Sequence, residues 1–123
     1  MTSMTLGIPV SRFGDEKSPF LSPRRVAELL GVTLSELAGL IGVARNTLAA
    51  KAGARKVDAA LSPVVRILAM AGEMAGDEQR AAIWFKHQPI PGWAGKTAYD
   101  LVGEGKADKV LAYLEAVRSG VYA

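Results

Sequence analysis

From residue 22 onward, apolar positions recur at helical spacing in short blocks separated by glycine, and no run alternates convincingly with period two. The first block, "SPRRVAELLG", predicts a helix capped by Ser22, with Pro23 at its first position and Gly31 as its stop. "TLSELAGLIG" follows, with Thr33 and Glu36 at capping-box spacing and Gly42 as the closing residue. A third, short helix is predicted over 44–52, stopped by Gly53, with "ARKVDAA" as a connection. The Ser-Pro start recurs at Ser62 and Pro63 and predicts a new helix in "SPVVRILAMAGEMAG". Further helices fit residues 77–87 and a Thr97-capped segment ending near Gly103. In the last, "KADKVLAYLEAVRSG", Ala107, Val110, Leu111, Leu114 and Val117 share one face before Gly120.

The fold class is therefore all-α. "LLGVTLSEL" and "LIGVARNTL" echo each other, but the echo is too short for a structural repeat and reads as two helix ends sharing a Gly-Val stop. The first 20 residues lack periodicity and hold Gly7, Pro9, Gly14 and Pro19. The expected organisation is a flexible or loosely docked arm over 1–21, a helix-turn-helix region over 22–61 and a second helical domain over 62–123.

Composition narrows the function classes. Half of the 123 residues are hydrophobic, so either alanine inflates the count or a partner covers surplus apolar surface. With no cysteine and only one histidine, His87, zinc sites and a catalytic triad are disfavoured. His87 is expected to hydrogen-bond nearby backbone or, when protonated, to favour the carbonyl end of its helix. Glu73, Asp77 and Glu78 read as a helix end and start, and no nucleophile, base and orienting group cluster by spacing. No enzyme activity, cofactor or metal is expected. No signal-peptide core and no membrane span are evident, which suggests a cytoplasmic protein.

Charge is uneven along the chain. Residues 24–66 hold seven basic and three acidic side chains, whereas residues 67–123 hold six basic and seven acidic. This asymmetry suggests different partners for the two halves.

Within the basic half, "ELAGLIGVARNTLAAK" has helix-turn-helix spacing. Leu37 and Ile41 would face the core, Ala38 would allow close crossing, Gly42 would make the turn, and Val43 and Leu48 would anchor the next helix. Arg45, Asn46, Thr47 and Lys51 are then expected outward for base contact, with Arg55 and Lys56 on phosphates. Lys51 stands where an apolar residue is usual.

The C-terminal part carries a further constellation. Trp84 and Phe85 end a helix, "PIPGWAG" forms a loop, and Gly95, Thr97, Asp100 and Leu101 open the next element. Gly105, Val110, Leu114, Gly120 and Tyr122 continue the pattern. This stretch resembles the toxin-binding domain of the Xre/MbcA/ParS antitoxin family, although Ala98 stands where many relatives have proline. With the preceding helix-turn-helix, the resemblance spans residues 22–123.

The resemblance implies an antitoxin of a type II toxin–antitoxin system. It would bind a RES-domain toxin, an enzyme that depletes NAD, cover its NAD pocket and repress its own operon. A homodimer, and a hetero-oligomer with toxin, are implied partners beside operator DNA. Trp93, Lys96, Tyr99, Arg118 and Tyr122 are the expected toxin contacts, while Trp84, Phe85 and Leu101 are expected to form a small core. The competing reading is a stand-alone helix-turn-helix transcription regulator.

Overall fold

The computed structural model describes residues 14–15 and 18–120, which are helical almost throughout. The first two helices follow their capping chemistry closely. α1, Pro23–Leu30, begins where the Ser22 hydroxyl accepts the Arg25 N–H at 3.4 Å. α2, Leu34–Ile41, begins at a reciprocal box in which Thr33 accepts from Glu36 N–H at 3.0 Å and Glu36 accepts from Thr33 N–H at 2.9 Å.

The Gly-Val echo is two uses of one stop. Gly31 and Gly42 take left-handed φ of 68° and 76°. The next N–H groups, of Val32 and Val43, then donate back to the carbonyls of Ala27 and Ala38, both at 3.0 Å. A β-carbon is disfavoured at such φ, so glycine lets both turns form without strain.

The third helical segment departs from expectation. α3 covers only Arg45–Ala49, a 3-10 turn covers Lys51–Gly53, and α4 runs without interruption over Ala54–Ala75. Gly53 therefore does not separate a helix from a connection. It allows a close approach: a β-carbon there would lie 2.6 Å from the Thr47 carbonyl oxygen.

The expected connection at 54–60 and the expected start at Ser62 are both overturned. Pro63 lies inside α4. Val57, Leu61, Val64 and Leu68 form one uninterrupted face, each at most 2% exposed. Burial of that face outweighs the missing Pro63 N–H, which leaves the carbonyl of exposed Ala59 to solvent. The expected division at 61/62 thus falls within a single helix.

α5, Glu78–His87, is capped by Asp77, whose carboxylate accepts the Arg80 N–H at 2.7 Å. α6, Ala98–Gly103, starts at a second capping box between Thr97 and Asp100. That box starts the helix without proline at residue 98, where Ala98 is fully buried. α7, Ala107–Arg118, buries Val110 and Leu114, while Ala107, Leu111 and Val117 are only half-buried.

A small strand pair was not foreseen. β1, Gly14–Asp15, pairs antiparallel with β2, Ser18–Leu21, which packs on α4. The Leu21 N–H donates to Asp58 of α4 at 2.7 Å. Most of the arm expected at 1–21 lies outside the described residues.

α4 is the spine of the packing. It contacts α1, α5 and α7, while α2 packs on α6 and α1 on α5. One cluster runs from Val26 and Leu37 through Leu61, Val64 and Leu68 to Phe85, Leu101 and Leu114. The expected small C-terminal core is thus part of a larger one: Phe85 and Leu101 are fully buried, and Trp84 is half-buried at its edge.

Pro63→Ala restores an N–H opposite the Ala59 carbonyl and is expected to raise the unfolding free energy, by up to about 3 kcal/mol. A urea midpoint that rises with unchanged slope is the expected result, and a fall would mean that the proline ring packs irreplaceably.

Candidate functional site

α5 hands the chain to α6 through residues 88–97, and backbone hydrogen bonds fold this loop on itself. Pro89 and Thr97 form an isolated antiparallel bridge. The Ile90 N–H donates to the Lys96 carbonyl at 2.8 Å, Trp93 N–H to Ile90 at 3.3 Å, and Lys96 N–H to Trp93 at 3.0 Å. Ile90, 2% exposed, pins this closed loop to the core. Ala94 has a φ of 55°, the one non-glycine residue with positive φ among those described. Such backbone costs about 1–2 kcal/mol, and it holds the tip of the loop in one shape.

That shape presents Trp93 half in and half out. One part of its ring packs against the core cluster, and the Lys106 ammonium sits 5.6 Å from the ring centroid. Glu104, at the end of α6, gathers both lysines. Lys96 reaches its two carboxylate oxygens at 2.9 and 2.8 Å, and Lys106 reaches it at 3.2 Å. The loop is therefore tied to the α6–α7 corner by the Lys96–Glu104 ion pair and by the cation–π contact of Lys106 with Trp93, while the Lys106–Glu104 pair braces the corner itself.

The bonds from Lys96 and then Lys106 hold the Glu104 carboxyl below the usual range. Hydrogen bonds from the Thr33 backbone and side chain do the same for Glu36. Burial, with the Glu36 charge as a smaller cause, pushes the Tyr99 phenol up.

The remaining expected toxin contacts do not all join this cluster. Tyr99 is half-buried, with its ring edge-to-face against Phe85 at 6.0 Å, so much of it serves the core. Arg118 is exposed on α7 and pairs with Glu115. Tyr122 lies outside the described residues. His87 is exposed in the last turn of α5, beside Lys86.

Glu104 and Lys106 were missed. Their link to Lys96 exists only once the loop closes, and no local spacing announces it. Ile83 was also missed: it is 61% exposed on α5, inside an apolar run that reads as core.

α2 and α3 take up a helix-turn-helix arrangement. Leu37 and Ala38 are buried, and Ile41, Val43 and Leu48 are half-buried. Arg45, Asn46, Lys51, Arg55 and Lys56 are exposed. Thr47 corrects its expectation, because it is half-buried beneath Gly53. Lys51 explains its odd place in the motif, since α3 has already ended at Ala49. Among the described residues, no group of three or more His, Cys, Asp or Glu could hold a metal ion.

These surfaces define a small, mostly helical protein in which a helix-turn-helix pair and an aromatic, basic loop share one core. Residues 70–120, beginning inside α4 and ending after α7, match the family model of the antitoxin Xre/MbcA/ParS C-terminal toxin-binding domain. The C-terminal part of the chain is thus similar to the toxin-binding domain of Xre/MbcA/ParS-type antitoxins. Comparisons with curated proteins and with solved structures found no match.

Glu104 is expected to titrate below the ordinary 4.5. Because its folded value is depressed, its contribution is complete above the ordinary carboxylate range and is lost as pH falls through the depressed value. Carboxyl NMR should show this midpoint moving back up in a Lys96→Gln, Lys106→Gln double variant; an unmoved midpoint would mean that the lysines do not set it.

Proposed function

We propose that this antitoxin neutralises a RES-domain, NAD-depleting toxin by covering its NAD pocket, performing no chemistry itself. The observation that carries the reading is the match of residues 70–120 to a toxin-binding domain. The residues in that segment suited to a partner are Trp93, with a rigid ring half out of the core, the Lys96–Glu104–Lys106 cluster beside it, and exposed Ile83 on α5. Large aromatic and apolar side chains flanked by ion pairs are the usual make-up of a binding centre. Tyr99, Arg118 and Tyr122 complete the proposed contact set.

In the same proposal, the helix-turn-helix region represses the operon. Arg45 and Asn46 read bases, Lys51 supports them, and Arg55 and Lys56 hold phosphates; Thr47 positions the turn. Repression by so short a recognition helix calls for a homodimer, or a hetero-oligomer with toxin, on operator DNA. The division into residues 1–21, 22–61 and 62–123 is then one of roles built on a shared core. Among the described residues no single helix is long and apolar enough to cross a membrane. Residues 51–75 and 78–87 qualify only as a pair bent by 116°, and α4 gives its apolar face to the core. We place the protein in the cytoplasm, where NAD and operator both lie.

Co-expression with a RES-domain protein encoded beside it should restore cellular NAD, and the two should co-purify. Trp93→Ala should weaken that complex by about tenfold or more, as expected of a central aromatic contact. Undiminished NAD loss despite excess antitoxin would contradict the toxin assignment.

A further inference from the structure

A cleft of about 920 Å³ opens between the first turn of α1, α3 and the start of α5. Arg24, Arg25 and Glu28 line it from α1, Arg45 from α3 and Glu78 from α5, above half-buried Leu29, Leu34 and Leu48. Arg24 and Arg45 are both exposed, so two helices distant in sequence each bring an arginine to the lining of one opening. Neither α1 arginine belongs to the helix-turn-helix motif.

We infer that the first turn of α1, through Arg24 and with Arg25 beside it, is a second phosphate-contacting edge of the DNA-binding face. The inference rests on the DNA-binding reading given above. α3 has five residues and buries none of them, so on its own it offers little more than Arg45 and Asn46 to a groove. Contacts to bases specify, but contacts to phosphates fix the register and supply much of the affinity.

A helix this short needs phosphate contacts on both flanks. Arg55 and Lys56, in the first turn of α4, supply one flank. The other flank is the cleft wall carrying Arg24. A guanidinium's planar fork of donors suits a phosphate oxygen pair, and the residues at the rim are mostly charged. The leucines beneath are already half covered by the fold, which favours a wet, anionic ligand over an apolar peptide. Glu28, exposed on the same wall, opposes the phosphate and limits affinity.

The test uses the full chain, a duplex from upstream of its own gene and a random duplex of equal length, with affinity measured across salt concentrations. Arg24→Gln should weaken binding to both duplexes by the same factor and make the slope of log affinity against log salt shallower by about 1. Glu28→Gln should tighten binding to both. Both residues are exposed, and an unchanged melting temperature would show that the fold is kept.

The inference is overturned if Arg24→Gln leaves affinity and slope unchanged while Arg45→Ala lowers them. It is equally overturned if Arg24→Gln weakens toxin capture but not DNA binding, since the cleft would then be a protein site. Failure of the unaltered chain to bind either duplex at low salt, alone or with toxin, would remove the DNA reading and this inference together.

Discussion

The buried face of α4 is the constraint on which the other elements depend. Val57, Leu61, Val64, Val65, Ile67, Leu68 and Ala71 line a helix of 22 residues, and each is at most 4% exposed. Its two ends serve different neighbours. The first turns lie beside the helix-turn-helix and the Leu21–Asp58 bond, while the remainder supports α5 and α7. Covering this face is what brings the six shorter helices, several of two or three turns, into a single fold with α4. Helices as short as α3 and α6 would be marginal without it.

One consequence is that the toxin-binding domain and the helix-turn-helix are not beads on a string. α6 packs directly on α2, and the Leu40 side chain approaches Gly103. Burial against this core pushes the Tyr99 phenol on α6 up, with the charge of Glu36 on α2 as a smaller cause. The aromatic loop is in turn fastened to the α6–α7 corner through Glu104. A rigid loop on a rigid base loses little freedom on binding, which suits the inhibition by occlusion proposed above. The strained backbone at Ala94 fits the same picture, being held by the closed loop around it.

Much of this was legible in the sequence where the governing physics is local. Ser22, Thr33, Asp77 and Thr97 each cap a helix, and Gly31, Gly42 and Gly120 each lie at a helix end with positive φ. The resemblance of the last forty residues located the toxin-binding segment. Legibility failed where tertiary burial overruled a local signal. Ser62 and Pro63 look like a helix start, yet the spacing of Val57, Leu61 and Val64 decides for one long helix. It failed also for pairs that meet only after folding, such as Lys96 with Glu104 or Arg24 with Arg45, because nothing in their spacing brings them together.

The claim that one core supports both functional halves is tested most directly by native-state hydrogen exchange on Leu61→Ala. Leu61 is fully buried in the first half of α4. Its truncation should remove about 2–5 kcal/mol of stability. The account predicts that the slowest-exchanging amides of α2 and of α7 lose protection by the same amount. Loss confined to one of those helices, with the other unaffected, would show two independently stable units and contradict it.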